Sequence, residues 1–128
     1  ILIDLDYFKV VNDTFGHDVG DQVLMHIADF LSNNVRKQDL IARWGGEEFV
    51  ILLRDTSIEQ GEQIALNLQE KMKQENFSPV MCMTFSAGVA TLEVGQNFDE
   101  LVACADKALY LAKNSGRNCV KTSLSVAS

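Results

Sequence analysis

The sequence is short of bases. It has 11 lysines and arginines against 18 aspartates and glutamates, for a formal net charge of -7 over 128 residues. Generic binding to nucleic acid or to an anionic membrane needs a basic face, so this balance argues against both. Long apolar runs are also missing, and every one is interrupted well short of bilayer-spanning length. No basic leader precedes an apolar segment, so no signal peptide is read, and residue 1 opens directly on the strand-like Ile1-Leu2-Ile3. That abrupt opening sets the expectation of a fragment continued upstream. Cysteine is scarce: Cys82, Cys104 and Cys119 are odd in number and lack zinc-type spacing. Each lies in an apolar stretch, so buried free thiols are expected, which fits a cytoplasmic setting. Repeats and linkers are absent, so a single domain over residues 1–128 is expected.

What is present is the apolar content of a folded protein, 47%. Residues 1–6 read as a buried strand carrying Asp4 and Asp6, two apart and so on one side. Tyr7 to Phe15 reads as a short helix or turn with Lys9, Asn12 and Asp13. Gly16-His17-Asp18-Val19-Gly20-Asp21 reads as a glycine-punctuated loop into a helix that buries Val23, Leu24, Ile27, Phe30 and Leu31 at helical spacing. Arg36-Lys37-Gln38-Asp39 is a polar link into a hairpin that ends near Arg54-Asp55. Thr56 and Ser57, with Glu59 and Gln60, offer a capping box for a helix burying Ile64, Ala65, Leu68 and Met72. Asn76-Phe77-Ser78-Pro79 breaks it. Met81 to Ala90 reads as a strand. Asn97 caps a helix that buries Leu101, Val102, Ala105, Leu109 and Ala112 and stops at Gly116. Asn118 to Thr122 reads as a last strand, and Ser123 to Ser128 as a frayed tail. The order β-α-α-β-β-α-β-α-β predicts an α+β fold, a mixed sheet with helices packed on it, related to the ferredoxin-like plan.

The stretch that organises the chain is Arg43-Trp44-Gly45-Gly46-Glu47-Glu48-Phe49. Two glycines between apolar runs read as a hairpin tip, where tight turns need positive φ. A bare turn lets a flat ligand approach the backbone, and the acids beside it suit hard cations. Taken alone, the segment fits equally well a plain hairpin with solvated acids. If the first strand and the return strand of the hairpin are neighbours, Asp4, Glu47 and Glu48 converge. Carboxylate oxygens without His or Cys favour Mg²⁺ or Mn²⁺. Two such ions can clamp the attacking and leaving oxygens of a phosphoryl transfer.

These residues, with several others, resemble the GGDEF domains, or diguanylate cyclases. The resemblance runs through Asp4-Leu5-Asp6-Tyr7-Phe8-Lys9, Asn12-Asp13, Gly16-His17 and Gly20-Asp21. It continues through Gly45-Gly46-Glu47-Glu48-Phe49, Thr84-Phe85-Ser86-Ala87-Gly88, Ala105-Asp106-Lys107-Ala108-Leu109-Tyr110-Leu111-Ala112-Lys113 and Gly116-Arg117-Asn118. It implies a palm-like, mainly antiparallel sheet shared with nucleotidyl cyclases. The implied activity is synthesis of cyclic di-GMP from two GTP molecules with release of two pyrophosphates. Two subunits of a homodimer, each holding one GTP, then face each other.

Carried over by position, the resemblance makes Asp4, the Leu5 carbonyl, Glu47 and Glu48 the ligands of two Mg²⁺ or Mn²⁺ ions. Glu47, with Glu48 beside it, serves the 3′-hydroxyl as base or metal-activating group. Asn12 and Asp21 match the guanine-reading positions, although turn and cap roles also suit them. His17 is either a ligand contact or a structural hydrogen-bonder. Lys9, Lys113 and Arg117 match phosphate contacts, with solvated helix-end charges as the other reading. The backbone after Phe8, and Gly45 and Gly46, complete the substrate set. Arg36 and Asp39 match an inhibitory product site for cyclic di-GMP. Asn67 stands where many product-inhibited members carry a second arginine, and the family's usual leading helix and Asp-x-Leu-Thr-Gly-Leu-type segment are absent from this sequence.

Three functions compete at this point: an active cyclase, a non-catalytic effector binding cyclic di-GMP or GTP, and a plain α+β interaction domain. The intact Gly45-Gly46-Glu47-Glu48-Phe49 favours the first. The expected setting is signalling in the cytoplasm under an upstream sensory domain, with anchoring of a longer protein left open.

Overall fold

The computed structural model describes residues 1–127. The elements run β1 (Leu2–Leu5), α1 (Phe8–Phe15), α2 (His17–Asn33), β2 (Leu40–Arg43), β3 (Glu48–Leu52), α3 (Ile58–Met72), β4 (Phe85–Val89), α4 (Phe98–Asn114), β5 (Val120–Thr122) and α5 (Ser123–Ala127). One five-stranded sheet has the order β2-β3-β1-β4-β5, so β1 lies at its centre. The β1–β3, β1–β4 and β2–β3 pairs are antiparallel, and β4–β5 is parallel. The fold is α+β, a mixed and mainly antiparallel sheet flanked by helices.

A strand buried on both faces reads as a continuous apolar run broken only where chemistry needs it. Ile1, Ile3 and Leu5 join the larger core, which takes in Val23, Leu24, Ile27, Phe30 and Leu31 of α2 and Ala65, Leu68 and Met72 of α3. Leu2 belongs to a second cluster with Val50 of β3 and Ala105 and Leu109 of α4. By alternation Asp4 shares the face of Leu2, the face that α4 covers. Helix α4 lies directly on β4: a Cβ at Gly88 would overlap the Ala105 carbonyl oxygen and the Leu109 nitrogen. Only glycine permits that approach.

The predicted capping box is present as Ser57 with Gln60, and the expected cap Asn97 forms a second box with Glu100. Several expectations are corrected. Helix α2 already begins at His17, so Gly16 alone (φ 89°) makes the bend expected of a six-residue loop. Strand β4 starts at Phe85 rather than Met81. Residues 123–127 of the expected tail are helical, while Ser128 lies outside the described residues. The cysteines are free but not buried: Cys82 is exposed, because 81–84 lies outside the sheet, and Cys104 and Cys119 are half-exposed. Gly45 and Gly46 are absent from the glycines at positive φ, so the hairpin tip is not built on left-handed residues. Its length explains this. Four residues, Trp44 to Glu47, separate β2 from β3, and loops of that size are most often built on ordinary turns.

Candidate active site

Asp4 sits directly opposite Glu48 in the β1–β3 register. Residues so paired in an antiparallel ladder point to the same face. Glu47 stands one residue before β3, and its carbonyl accepts a hydrogen bond from the Leu5 N–H at 3.1 Å. The turn is therefore fastened to the end of the central strand. Asp4 is only 8% exposed, and the Lys113 ammonium of α4 lies 2.5 Å from its Oδ2. Burial first, and then the Asp4 charge, lifts both Glu47 and Glu48 above the usual carboxylate range, with Lys113 pulling the other way. Asp106 of α4 adds to the push on Glu48. Three acids thus crowd one partly buried corner.

Beside that corner opens a cleft of about 490 Å³ lined by Phe8, Lys9, Asn12, His17, Asp21, Leu24, Arg43, Gly46, Glu47 and Glu48. Eight of these were singled out in the sequence. Lys9 and Asp21 are exposed along it, and Asn12 is half-buried. Asn12 Oδ1 is buried and has no donor. It occupies the space a Cβ at Gly20 would need, which is why α2 carries a glycine there.

Two cleft residues escaped the sequence reading as site members. Leu24 was read only as core. Arg43 donates from Nε to the Gly45 carbonyl at 3.2 Å and from Nη2 to the Gly46 carbonyl at 2.7 Å. One side chain thus ties down both glycines of the turn. Its place next to them in sequence was the available signal.

Asp4, Lys113 and Arg117 do not line the cleft. Asp4 and Lys113 pair beside it, and Arg117 lies with its guanidinium carbon 5.3 Å from the centre of the Tyr7 ring. Asp6, read only as a strand-end acid, is buried and accepts three hydrogen bonds. They come from Thr84 Oγ1 at 2.7 Å, Ser86 Oγ at 2.6 Å and the Asn118 N–H at 3.0 Å.

Arg36 and Asp39 are away from the cleft and closed on one another. The guanidinium donates to both Asp39 oxygens at 3.0 Å and reaches the Arg54 carbonyl at 3.0 Å and Thr56 Oγ1 at 2.8 Å. Burial lifts the Asp39 carboxyl, but the Arg36 hydrogen bonds outweigh it and hold the group below its usual range. Asn67 bonds Gln63 on the exposed face of α3.

The family model described as "Diguanylate cyclase, GGDEF domain" matches residues 1–119. The chain belongs to the GGDEF domain family. Diguanylate cyclase DgcM of Escherichia coli K12 is 44% identical over 120 residues, covering 94% of this chain and 29% of DgcM. Response regulator PleD of Caulobacter vibrioides is 43% identical over 126 residues, covering 94% of this chain and 28% of PleD. This GGDEF domain therefore spans less than a third of those relatives. Among solved structures, the active GGEEF domain of a diguanylate cyclase from Vibrio cholerae superposes with a TM-score of 0.87 at 34% identity, over 94% of this chain and 79% of that one. The GGDEF domain of DgcB from Caulobacter crescentus, in complex with c-di-GMP, gives 0.88 at 28% identity, over 95% and 75%.

Among the described residues no group of three or more His, Cys, Asp and Glu side chains is spaced to hold a metal ion as it stands. The chemistry of the corner nonetheless suits a divalent cation. The donors are all oxygen, and Glu47 and Glu48 carry like-charge pressure from Asp4 that Lys113 only partly offsets. Lys113 supplies the only cation that touches Asp4 among the described residues. No helix among them is long and apolar enough to cross a membrane.

Proposed function

We propose that this GGDEF domain is a diguanylate cyclase, condensing two GTP molecules into cyclic di-GMP with release of two pyrophosphates. One piece of geometry carries the reading: Asp4 and Glu48 face each other across the β1–β3 ladder, beside a cleft that also holds Lys9, Asn12, His17, Asp21 and Glu47.

Asn12 and Asp21 both line that cleft and read the base. The Asn12 side-chain amide can both donate to and accept from the base, and the Asp21 carboxylate accepts from the N–H pair on the Watson–Crick edge. Adenine lacks that pair and would leave the carboxylate unmatched. Lys9, Lys113 and Arg117 meet the phosphates. Arg43 keeps the Gly45–Gly46 turn fixed while the nucleotide lies against it. Asp4, Glu47, Glu48 and the Leu5 carbonyl would hold two Mg²⁺ or Mn²⁺ ions, Lys113 giving up Asp4 in exchange. When bound, such ions polarise the phosphoryl oxygens and acidify the attacking hydroxyl. Glu47 receives the 3′-hydroxyl proton or activates that hydroxyl through the metal. Each domain holds one nucleotide, so two copies face each other, each hydroxyl directed at the other's α-phosphate. Arg36 and Asp39 form a feedback site for cyclic di-GMP.

The test is incubation with GTP and Mg²⁺ followed by chromatography. Cyclic di-GMP forms, the rate rises more than linearly with protein concentration, and ATP is not consumed. Glu47→Ala abolishes product while keeping the fold. Wild-type turnover in that variant would overturn the assignment of Glu47. No product from the wild-type domain, with cyclic di-GMP or GTP still bound, would favour a non-catalytic effector.

A further inference from the structure

Four non-glycine residues among those described have positive φ, and three of them meet in one place: Tyr7 at 57°, Arg117 at 62° and Asn118 at 47°. Asparagine tolerates that region, but for a bulky residue such as tyrosine it is an outlier. Strain of this kind persists only where the surroundings over-determine it. Here Asp6 does so. It is 6% exposed, and it joins Thr84, just before β4, and Ser86 of β4 to the turn after α4 through the Asn118 N–H. The next residue, Tyr7, is turned outward by its left-handed backbone and is 64% exposed. Its ring is held by no apolar core. What it meets is the guanidinium of Arg117.

We infer that Tyr7 is a positioning residue whose ring holds Arg117 in place for the outer phosphates of the nucleotide. The inference rests on the GTP-binding reading given above. A guanidinium over a ring face keeps its in-plane N–H donors free for a phosphate. Among the described residues the Arg117 side chain has a ring partner and no hydrogen-bond acceptor. Tyr7 immediately precedes α1, whose other members Phe8, Lys9 and Asn12 line the cleft. A nucleotide with its base at Asn12 and its phosphates running back along α1 ends at Tyr7 and Arg117.

The experiment measures calorimetric affinities for 3′-deoxy-GTP, which cannot cyclise, and for GMP, which lacks the outer phosphates, both with Mg²⁺. Tyr7→Gly removes the ring and relieves the strained backbone. It weakens 3′-deoxy-GTP by about three- to fivefold, the worth of an exposed cation–π contact. It leaves GMP affinity unchanged and the melting temperature equal or higher. Tyr7→Phe keeps wild-type affinity. In an Arg117→Ala background, Tyr7→Gly has no further effect. Equal losses with and without Arg117, a matching loss for GMP, or a Tyr7→Phe variant as weak as Tyr7→Gly would overturn the positioning role alone. Failure of the wild-type domain to bind 3′-deoxy-GTP would overturn the nucleotide reading and this inference with it.

Discussion

The ammonium of Lys113 touches the carboxylate of Asp4 at 2.5 Å, joining the turn end of α4 to the central strand of the sheet. The pair supplies the positive charge that a buried acid on β1 requires. Lys113→Met leaves Asp4 without it. The expected cost is about 1–2 kcal/mol, kept low because Lys113 is partly exposed, read as a drop in the urea midpoint. Mg²⁺ then stabilises the variant more than the wild type, since the ion no longer competes with an ammonium. Equal midpoints without metal would remove Lys113 from this role.

The carboxylates predict two opposite pH dependences. Burial, then the Asp4 charge, holds Glu47 and Glu48 above their ordinary 4.5. A group raised in the folded state contributes stability that is complete below its unfolded value and is lost as pH rises through the folded one. In metal-free buffer, lowering the pH from about 7 to about 5 therefore stabilises the wild type more than a Glu47→Gln/Glu48→Gln variant. Asp39 runs the other way. Its carboxyl is held below its ordinary 3.8, so its contribution is present above that value and is lost as pH falls through the folded one. The Asp39→Asn variant is correspondingly less acid-sensitive. Thermal melts across both ranges check the two signs.

Gly88→Ala tests the contact on which the placement of α4 depends. The added methyl would overlap backbone atoms of Ala105 and Leu109, which cannot swing aside as a side chain can. The expected destabilisation is about 3 kcal/mol or more. Because α4 carries Lys113, nucleotide affinity falls with it. A variant of wild-type stability would mean that α4 does not sit this close to β4.

Arg36→Ala opens the closed pair and strands a buried carboxylate. The urea midpoint falls, and so does calorimetric affinity for cyclic di-GMP. Arg36→Lys recovers charge but not the forked geometry, so it restores little of either. Unchanged affinity in Arg36→Ala would take this pair out of the feedback proposal.

Much of this was readable from residue order. The element sequence up to β5, the Ser57 capping box, the Asn97 cap and the buried stripe of α2 follow from periodicity and from local hydrogen-bond chemistry, which act within a few residues. Pattern marked Gly46, Glu47 and Glu48, the resemblance to GGDEF domains brought Phe8, Lys9, Asn12, His17 and Asp21 forward as candidates, and the fold gathers all eight in one cleft. What periodicity could not supply were contacts set by tertiary packing. Asp6 finds donors 78, 80 and 112 residues away. The left-handed Tyr7 and Arg117 contradict local preference and exist only because those contacts fix them. Cys82 reads as core by its neighbours but lies where the chain has left the sheet. The glycines of the hairpin tip were assigned the wrong backbone because loop length, not composition, governs that turn.

The spacing of Asp4 and Lys113, 109 residues apart, has a consequence for biosynthesis. A ribosome delivers the acid 109 residues ahead of its counter-charge, which comes only once most of α4 has been made. Until then the growing chain carries the corner's carboxylates without the cation that offsets them. The turn bearing Arg117 follows later still. On the proposed nucleotide reading, a nascent polypeptide is therefore poorly equipped to seize its ligand, and competence arrives with α4 and the turn that follows it.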